Sequence, residues 1–245
     1  MTPGPDEAPS PFRRPGFILA AGFLTVIILL GVLVAMTRGG SGGSPGSTNP
    51  PPTGRQSGAA GGTNSAACQP ADTNQQVPTT APPGVTWELF QAIALPVSPN
   101  AGPLIRKGDI RSCYAHTPTG ALIAAAQISA RITYSSNWRA ISEQQLTNSA
   151  GKAVFLKDRA THGANPPLQA GDVAQYAGFK FITYGPDTAV ISLANRIDST
   201  AWIASTATVK WQGDDWKLEL QSDGSPSTEG QQLASLDGYI RWGGA

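Results

Sequence analysis

One stretch constrains this chain more than any other: GFILAAGFLTVIILLGVLVAM, residues 16–36, contains no charged side chain. Its 21 residues match the roughly 20 that a helix needs to cross a hydrocarbon core of about 30 Å. Backbone in lipid must satisfy its own hydrogen bonds, so the run predicts one transmembrane helix. Arg13 and Arg14 precede it, and Arg38 alone follows closely. That asymmetry predicts a cytoplasmic tail over residues 1–15 and an exoplasmic location for everything beyond Arg38. A cleaved signal peptide is the rival reading. Such signals carry an apolar segment of roughly 7–15 residues and a small-residue cleavage site, which Leu33-Val34-Ala35-Met36 does not supply.

Beyond the run, composition divides the chain in two. Residues 37–84 are almost wholly Gly, Ser, Pro, Thr, Asn, Gln and Ala, with Arg38, Arg55 and Asp72 as the charges. Such a stretch buries too little apolar surface to offset its ordering entropy and is expected to be a disordered tether. Its mean reach would be roughly 40 Å. Residues 85–245 hold all six Trp and all five Tyr and have the size of one folded domain. Their 13 Lys/Arg balance 13 Asp/Glu, and no basic stripe is interleaved with aromatic residues. Direct nucleic-acid binding is therefore not expected.

Cys68 and Cys113 are the only cysteines. An even pair in an oxidising compartment predicts a disulfide, which would pin the end of the tether to the domain. Two unpaired small residues are the alternative.

In the domain, residues 86–95 alternate, with Trp87, Leu89, Ile93 and Leu95 on one face, and read as a strand ended by Pro96. Residues 98–111 carry Pro99, Gly102, Pro103 and Gly108 and read as a loop. Thr117-Pro118 is a helix start, with Thr as cap and Pro at the first helical position. The helix GALIAAAQISARITY follows, with Ala121, Ala125, Ile128 and Ile132 on the face toward a sheet. Residues 138–146 and 153–159 read as shorter helices. Strands are then expected over 179–184, 189–197, 202–211 and 216–220, the last two joined by a hairpin at Gln212-Gly213-Asp214-Asp215. Trp216, Leu218 and Leu220 would face inward and Lys217 and Glu219 outward. Leu236, Tyr239 and Trp242 would pack as a closing segment. Helices first and antiparallel strands later predict an α+β domain, helices on a curved antiparallel sheet.

A search for chemistry yields little. His116 and His162 are the only histidines, and no cluster has metal-ligand spacing. Tyr114 and His116, at a helix entrance, are the candidate pocket residues, although a role in fixing the chain there is the simpler reading. Asp214 and Asp215 read as solvated turn residues. No nucleophile elbow, phosphate loop or dinucleotide fingerprint is present. No catalytic residue, cofactor or metal is assigned, and the chain is not expected to be an enzyme.

APPGVTWELFQAIALPVSPNAGP, CYAHTPTGALIAAAQI, VKWQGDDWKLEL and the closing SLDGYIRWGG resemble an uncharacterised actinobacterial family of single-span membrane proteins associated with integrative elements and conjugation gene clusters. YAHTPTGA is the most specific of these segments, and the family brings no active-site residues. More loosely, one span followed by helices and a sheet resembles the bitopic assembly factors of type IV secretion systems, whose outer domains have the cystatin-like fold of nuclear transport factor 2. The resemblance implies a membrane-anchored scaffold in a conjugation or secretion apparatus, partnered by the membrane and by other membrane proteins of that apparatus. Lys217 and Glu219 are the candidate interface residues. Copies of the chain are a further partner class, though Gly16, Gly22 and Gly31 lack the GxxxG spacing of helix-driven dimers. The alternative is a domain that binds a small ligand or wall fragment in a pocket near His116.

Overall fold

The computed structural model describes residues 68–169, 173–197 and 201–244. The predicted tail, membrane span and first part of the tether lie outside the described residues. Among the described residues no helix is long and apolar enough to cross a membrane. Two small hairpins come first: β1 (Thr86–Phe90) with β2 (Ile93–Val97), and β3 (Ile105–Lys107) with β4 (Ile110–Ser112). Three helices follow, α1 (Pro118–Tyr134), α2 (Trp138–Gln145) and α3 (Ala150–His162). Then come β5 (Gln175–Gly185), β6 (Thr188–Arg196), β7 (Trp202–Trp211), β8 (Trp216–Glu219), β9 (Gln231–Leu233) and β10 (Ile240–Arg241). These last six form an antiparallel sheet in the order β10-β5-β6-β7-β8, with β9 sharing the β7 edge beside β8. The domain is α+β, as its sequence predicts.

Helix α1 begins where the sequence places it. The Thr117 hydroxyl accepts the Gly120 N–H at 3.1 Å, and Pro118 needs no partner for a missing N–H. Its Ala-rich surface is buried on every side, including Leu122, Ile123, Ala124 and Ala126 as well as the predicted face. A helix apolar all round belongs inside a fold. On one side α1 packs against β6, β7 and β8; it also touches β2, β4 and α2. Phe179, Ile191, Leu193, Ala207, Val209, Trp216 and Leu218 supply the buried face of the sheet.

Several local expectations are corrected. The strand expected over residues 86–95 is a hairpin that turns at Gln91-Ala92, Gln91 having φ 53°. Alternating apolar residues satisfy one strand or a tight hairpin equally well, and after the reversal Leu89 is left exposed. Pro96 lies inside β2, opposite Trp87. The expected loop over 98–111 contains β3 and β4, whose short arms carry too few residues for a periodic signal. Helix α3 starts at Ala150, because the Ser149 hydroxyl caps it by accepting the Lys152 N–H. Strand β5 is longer than its aromatic centre, continuing through two register shifts against β6.

Residues 68–84, which composition assigns to the tether, lie along the domain. Cys68 is bonded to Cys113. Asp72 donates its N–H to the Asn100 carbonyl at 3.0 Å and accepts the Thr117 hydroxyl at 2.7 Å. Gln75 donates to the His116 carbonyl and accepts from the Tyr184 hydroxyl. A covalent staple and specific polar contacts order a segment that has little apolar surface of its own. In the chain-entropy account a loop of this length is worth about 4 kcal/mol.

Candidate functional site

The entrance to α1, the ordered arm, the β3–β4 hairpin and the β7–β8 turn surround a cleft of about 990 Å³. Tyr114, His116, Asp72, Asp215, Lys107 and Trp211 are among its lining residues. The structure thus brings both candidate pocket residues to one place.

Asp215 overturns its sequence reading. It is not a solvated turn residue. Its Oδ2 accepts the Cys113 N–H at 2.7 Å, and its Oδ1 accepts those of Tyr114 and Trp216, each at 3.0 Å. Burial pushes its carboxyl up to about 6, and the three N–H bonds offset only part of that. Its neighbour Asp214 is exposed, with φ 62° at the turn. The two carboxylates therefore do not act as a pair.

The rest of the YAHT segment is equally engaged. The Ala115 carbonyl accepts the Trp216 indole N–H at 2.9 Å, and the Ala115 N–H donates to the Ala101 carbonyl. His116 lies flat on Trp211, with ring centroids 3.9 Å apart and an interplanar angle of 7°, and its Nε2 hydrogen-bonds the Pro186 carbonyl. Tyr114 is only 1% exposed, so it offers no phenol to the cleft. Its hydroxyl, beside Gln145, makes no hydrogen bond of ordinary geometry. Burial, helped by the nearby Asp215 carboxylate, raises its pKa well above the usual phenol value. These groups hold the chain; they do not converge on a point where a substrate atom could sit. Among the described residues no group of His, Cys, Asp and Glu could hold a metal ion.

Lys217 and Glu219 lie outside the cleft on β8, half-buried, alternating with the inward-facing Trp216 and Leu218. Glu219 accepts from Lys210 at 2.8 Å across the β7–β8 pair.

Sequence reasoning missed a second polar centre. Glu88 of β1 meets Arg106 at 2.7 Å, Arg111 at 3.2 Å and Arg131 at 3.0 Å. Arg131 is buried in α1, donates also to Gln127, and stacks over the Phe90 ring. Burial and the neighbouring Arg111 charge lower the Arg131 pKa to about 10, against the pull of Glu88. Burial alone would raise Glu88, but the hydrogen bond and charge of Arg111, with Arg106 and Arg131, leave it lowered. The four charges come from four separate elements, β1, β3, β4 and α1, so no sequence window joins them.

No curated protein and no solved structure matches the chain significantly. A family model does match, over residues 47–241. It covers YAHTPTGA, both cysteines and nearly all of the sheet, and by that match the chain belongs to the family described as a domain of unknown function (DUF8175).

Proposed function

We propose that the chain is a single-span membrane protein whose exoplasmic α+β domain, built like nuclear transport factor 2, works as a docking scaffold in a conjugation or type IV secretion-like apparatus. The observation that supports a scaffold over a ligand-binding cone is the filling of the sheet's inner face. Helix α1 occupies it, and Trp216, Leu218, Phe179 and Ile191 pack there without exposure beyond 1%. Asp215 and His116 of the outer cleft are hydrogen-bonded to the chain's own backbone, which suits a rigid module more than a catalyst. The apolar run over residues 16–36 and its flanking arginines support the anchor. The resemblance of YAHTPTGA and the flanking segments supports the apparatus.

The test is co-purification of neighbouring membrane components with the full-length chain and its variants. On this reading Lys217→Glu and Glu219→Lys weaken capture, by more than about 2 kcal/mol at a hot spot. His116→Ala leaves capture intact once thermal stability is matched. Loss of function in a normally melting His116→Ala chain, with no effect of any surface change, would sink the scaffold.

A further inference from the structure

A second cleft, of about 500 Å³, is lined by Trp87, Tyr176, Arg196, Trp202, Arg241 and Trp242, with no acidic residue on its walls among the described residues. Arg196 and Trp202 stand directly opposite each other on β6 and β7, so their side chains share one face of the sheet. Arg241 comes from β10, which pairs with β5 at Gly178.

What sets this cleft apart is how little its polar groups are used. Arg106, Arg111, Arg131 and Arg159 all donate to carboxylates or carbonyls, and Arg139 stacks on Trp138. Arg196 and Arg241 are the arginines left without a hydrogen bond, ion pair or ring among the described residues. Trp202 is half-buried, yet no ring or cation packs on it among the described residues. Trp242 is 5% exposed and packs edge-on against Trp87 and Phe179. Its indole N–H is buried without an acceptor. A buried donor left unpaired costs about 1–3 kcal/mol and marks a place where an acceptor would be gained.

Each feature selects a ligand property. Two guanidinium forks without a partner among the described residues, on walls where those residues include no acid, select an oxyanion, carboxylate or phosphate, which they can hold through paired N–H bonds. An unoccupied indole face selects a ring with an apolar face, whether an aromatic ring or the C–H face of a sugar. The unpaired indole N–H selects a ring that carries oxygen acceptors beyond the anion itself. A bare aromatic acid meets the first two demands and fails the third; a sugar ring meets all three. We propose that this cleft binds an acidic sugar, its ring against Trp202 and its carboxylate or phosphate between Arg196 and Arg241.

The experiment is titration calorimetry on the full-length chain in mild detergent, with three sugars that share one ring. N-acetylmuramic acid carries a carboxylate, N-acetylglucosamine 1-phosphate a phosphate, and N-acetylglucosamine neither. At least one acid should bind with a Kd below about 1 mM, and the neutral sugar at least about tenfold more weakly. Whichever acid binds more tightly names the source of the anion. Arg196→Gln and Arg241→Gln should each weaken binding about tenfold or more. Both should melt like the parent, because neither guanidinium has a partner to lose among the described residues. Trp202→Ala should weaken binding of the acid and the neutral sugar alike, and Lys107→Gln, in the other cleft, should change nothing. No binding of either acid at about 10 mM, or binding unmoved by both arginine changes, overturns the proposal. Phenylacetate binding as tightly as the better acid overturns the sugar.

Discussion

The carboxylate of Asp215 reaches the backbone of Tyr114, 101 residues away in sequence, with Oδ1 accepting the Tyr114 N–H at 3.0 Å. Through this bond and its partner to Cys113, the β7–β8 turn fixes the segment that enters α1. One side chain thus joins the hairpin, the disulfide and the central helix. Replacing it with Ala would leave the Cys113, Tyr114 and Trp216 N–H groups without their acceptor. Asp215→Ala should cost about 2–5 kcal/mol, since each unpaired buried donor costs about 1–3. Urea unfolding of the variant beside the parent measures it.

The same group makes a pH prediction whose sign is unusual for an aspartate. Its folded pKa, about 6, lies above the ordinary 3.8. Between those values the folded chain binds the extra proton, so the Asp215 contribution to stability falls as pH rises from 3.8 toward 6, by at most about 1.4 kcal/mol per pH unit. Asp215→Asn should flatten that slope. A parent whose stability climbs steadily over the same window, with no change in Asp215→Asn, would refute the assignment.

Glu88 acts in the opposite direction. Its pKa is lowered from 4.5, so its contribution is present above that value and is lost as pH falls through the folded pKa. Glu88→Gln removes a counter-charge from Arg131, which is 1% exposed and retains, among the described residues, only Asp109 at 3.9 Å as an ionic partner. The expected cost is about 3 kcal/mol. Arg131→Met should cost less, because a linear apolar side chain can fill the space over Phe90 while Glu88 keeps Arg106 and Arg111. Equal losses in the two variants would argue that packing, not charge, governs the centre.

The parts of this fold legible in sequence are those set by neighbours along the chain. Thr117-Pro118 announces α1 because the cap and the proline act within one turn. Trp216, Lys217, Leu218 and Glu219 announce β8 because alternation is a local property. The Cys68–Cys113 bond is legible in the even count of cysteines together with the expected compartment. Asp214 and Asp215 show the limit. They are adjacent and chemically identical, and only the tertiary position of the Cys113-Tyr114 backbone makes one a solvated turn residue and the other a half-buried acceptor. The hairpin turn at Gln91 was hidden for another reason, since alternating residues do not record where a strand reverses. The Arg196–Trp202 cleft was invisible because its walls come from β1, β5, β6, β7 and β10.

The arm over residues 68–84 yields a further prediction. Beyond its disulfide, the contacts that hold its first half include two hydrogen bonds to the domain from each of Asp72 and Gln75. Cys68→Ser should cost about 2–5 kcal/mol and should expose the arm to protease before the core. Limited proteolysis followed by mass spectrometry would place the first cuts. First cuts inside α1 or the sheet would show that the arm is held without the bond.

Gly120 supplies a test of why YAHTPTGA ends as it does. In the first turn of a helix, Gly→Ala usually stabilises, by up to about 1 kcal/mol of propensity. Here a Cβ would stand 2.0 Å from the Ala115 carbonyl oxygen and 2.8 Å from its carbon. That carbonyl is not free to move, because it accepts the buried Trp216 indole N–H. The backbone must shift at the point where Thr117 caps the helix and Asp215 holds the preceding residues. Overpacking of this kind costs about 1–3 kcal/mol, so Gly120→Ala should lower stability despite the gain in propensity. The accompanying sign is optical: strain at the Trp216 contact should alter the near-ultraviolet circular dichroism while the far-ultraviolet helix signal holds. A variant more stable than the parent, with both spectra unchanged, would mean that the α1 entrance tolerates a side chain and that the close approach of Gly120 to Ala115 does not fix the motif.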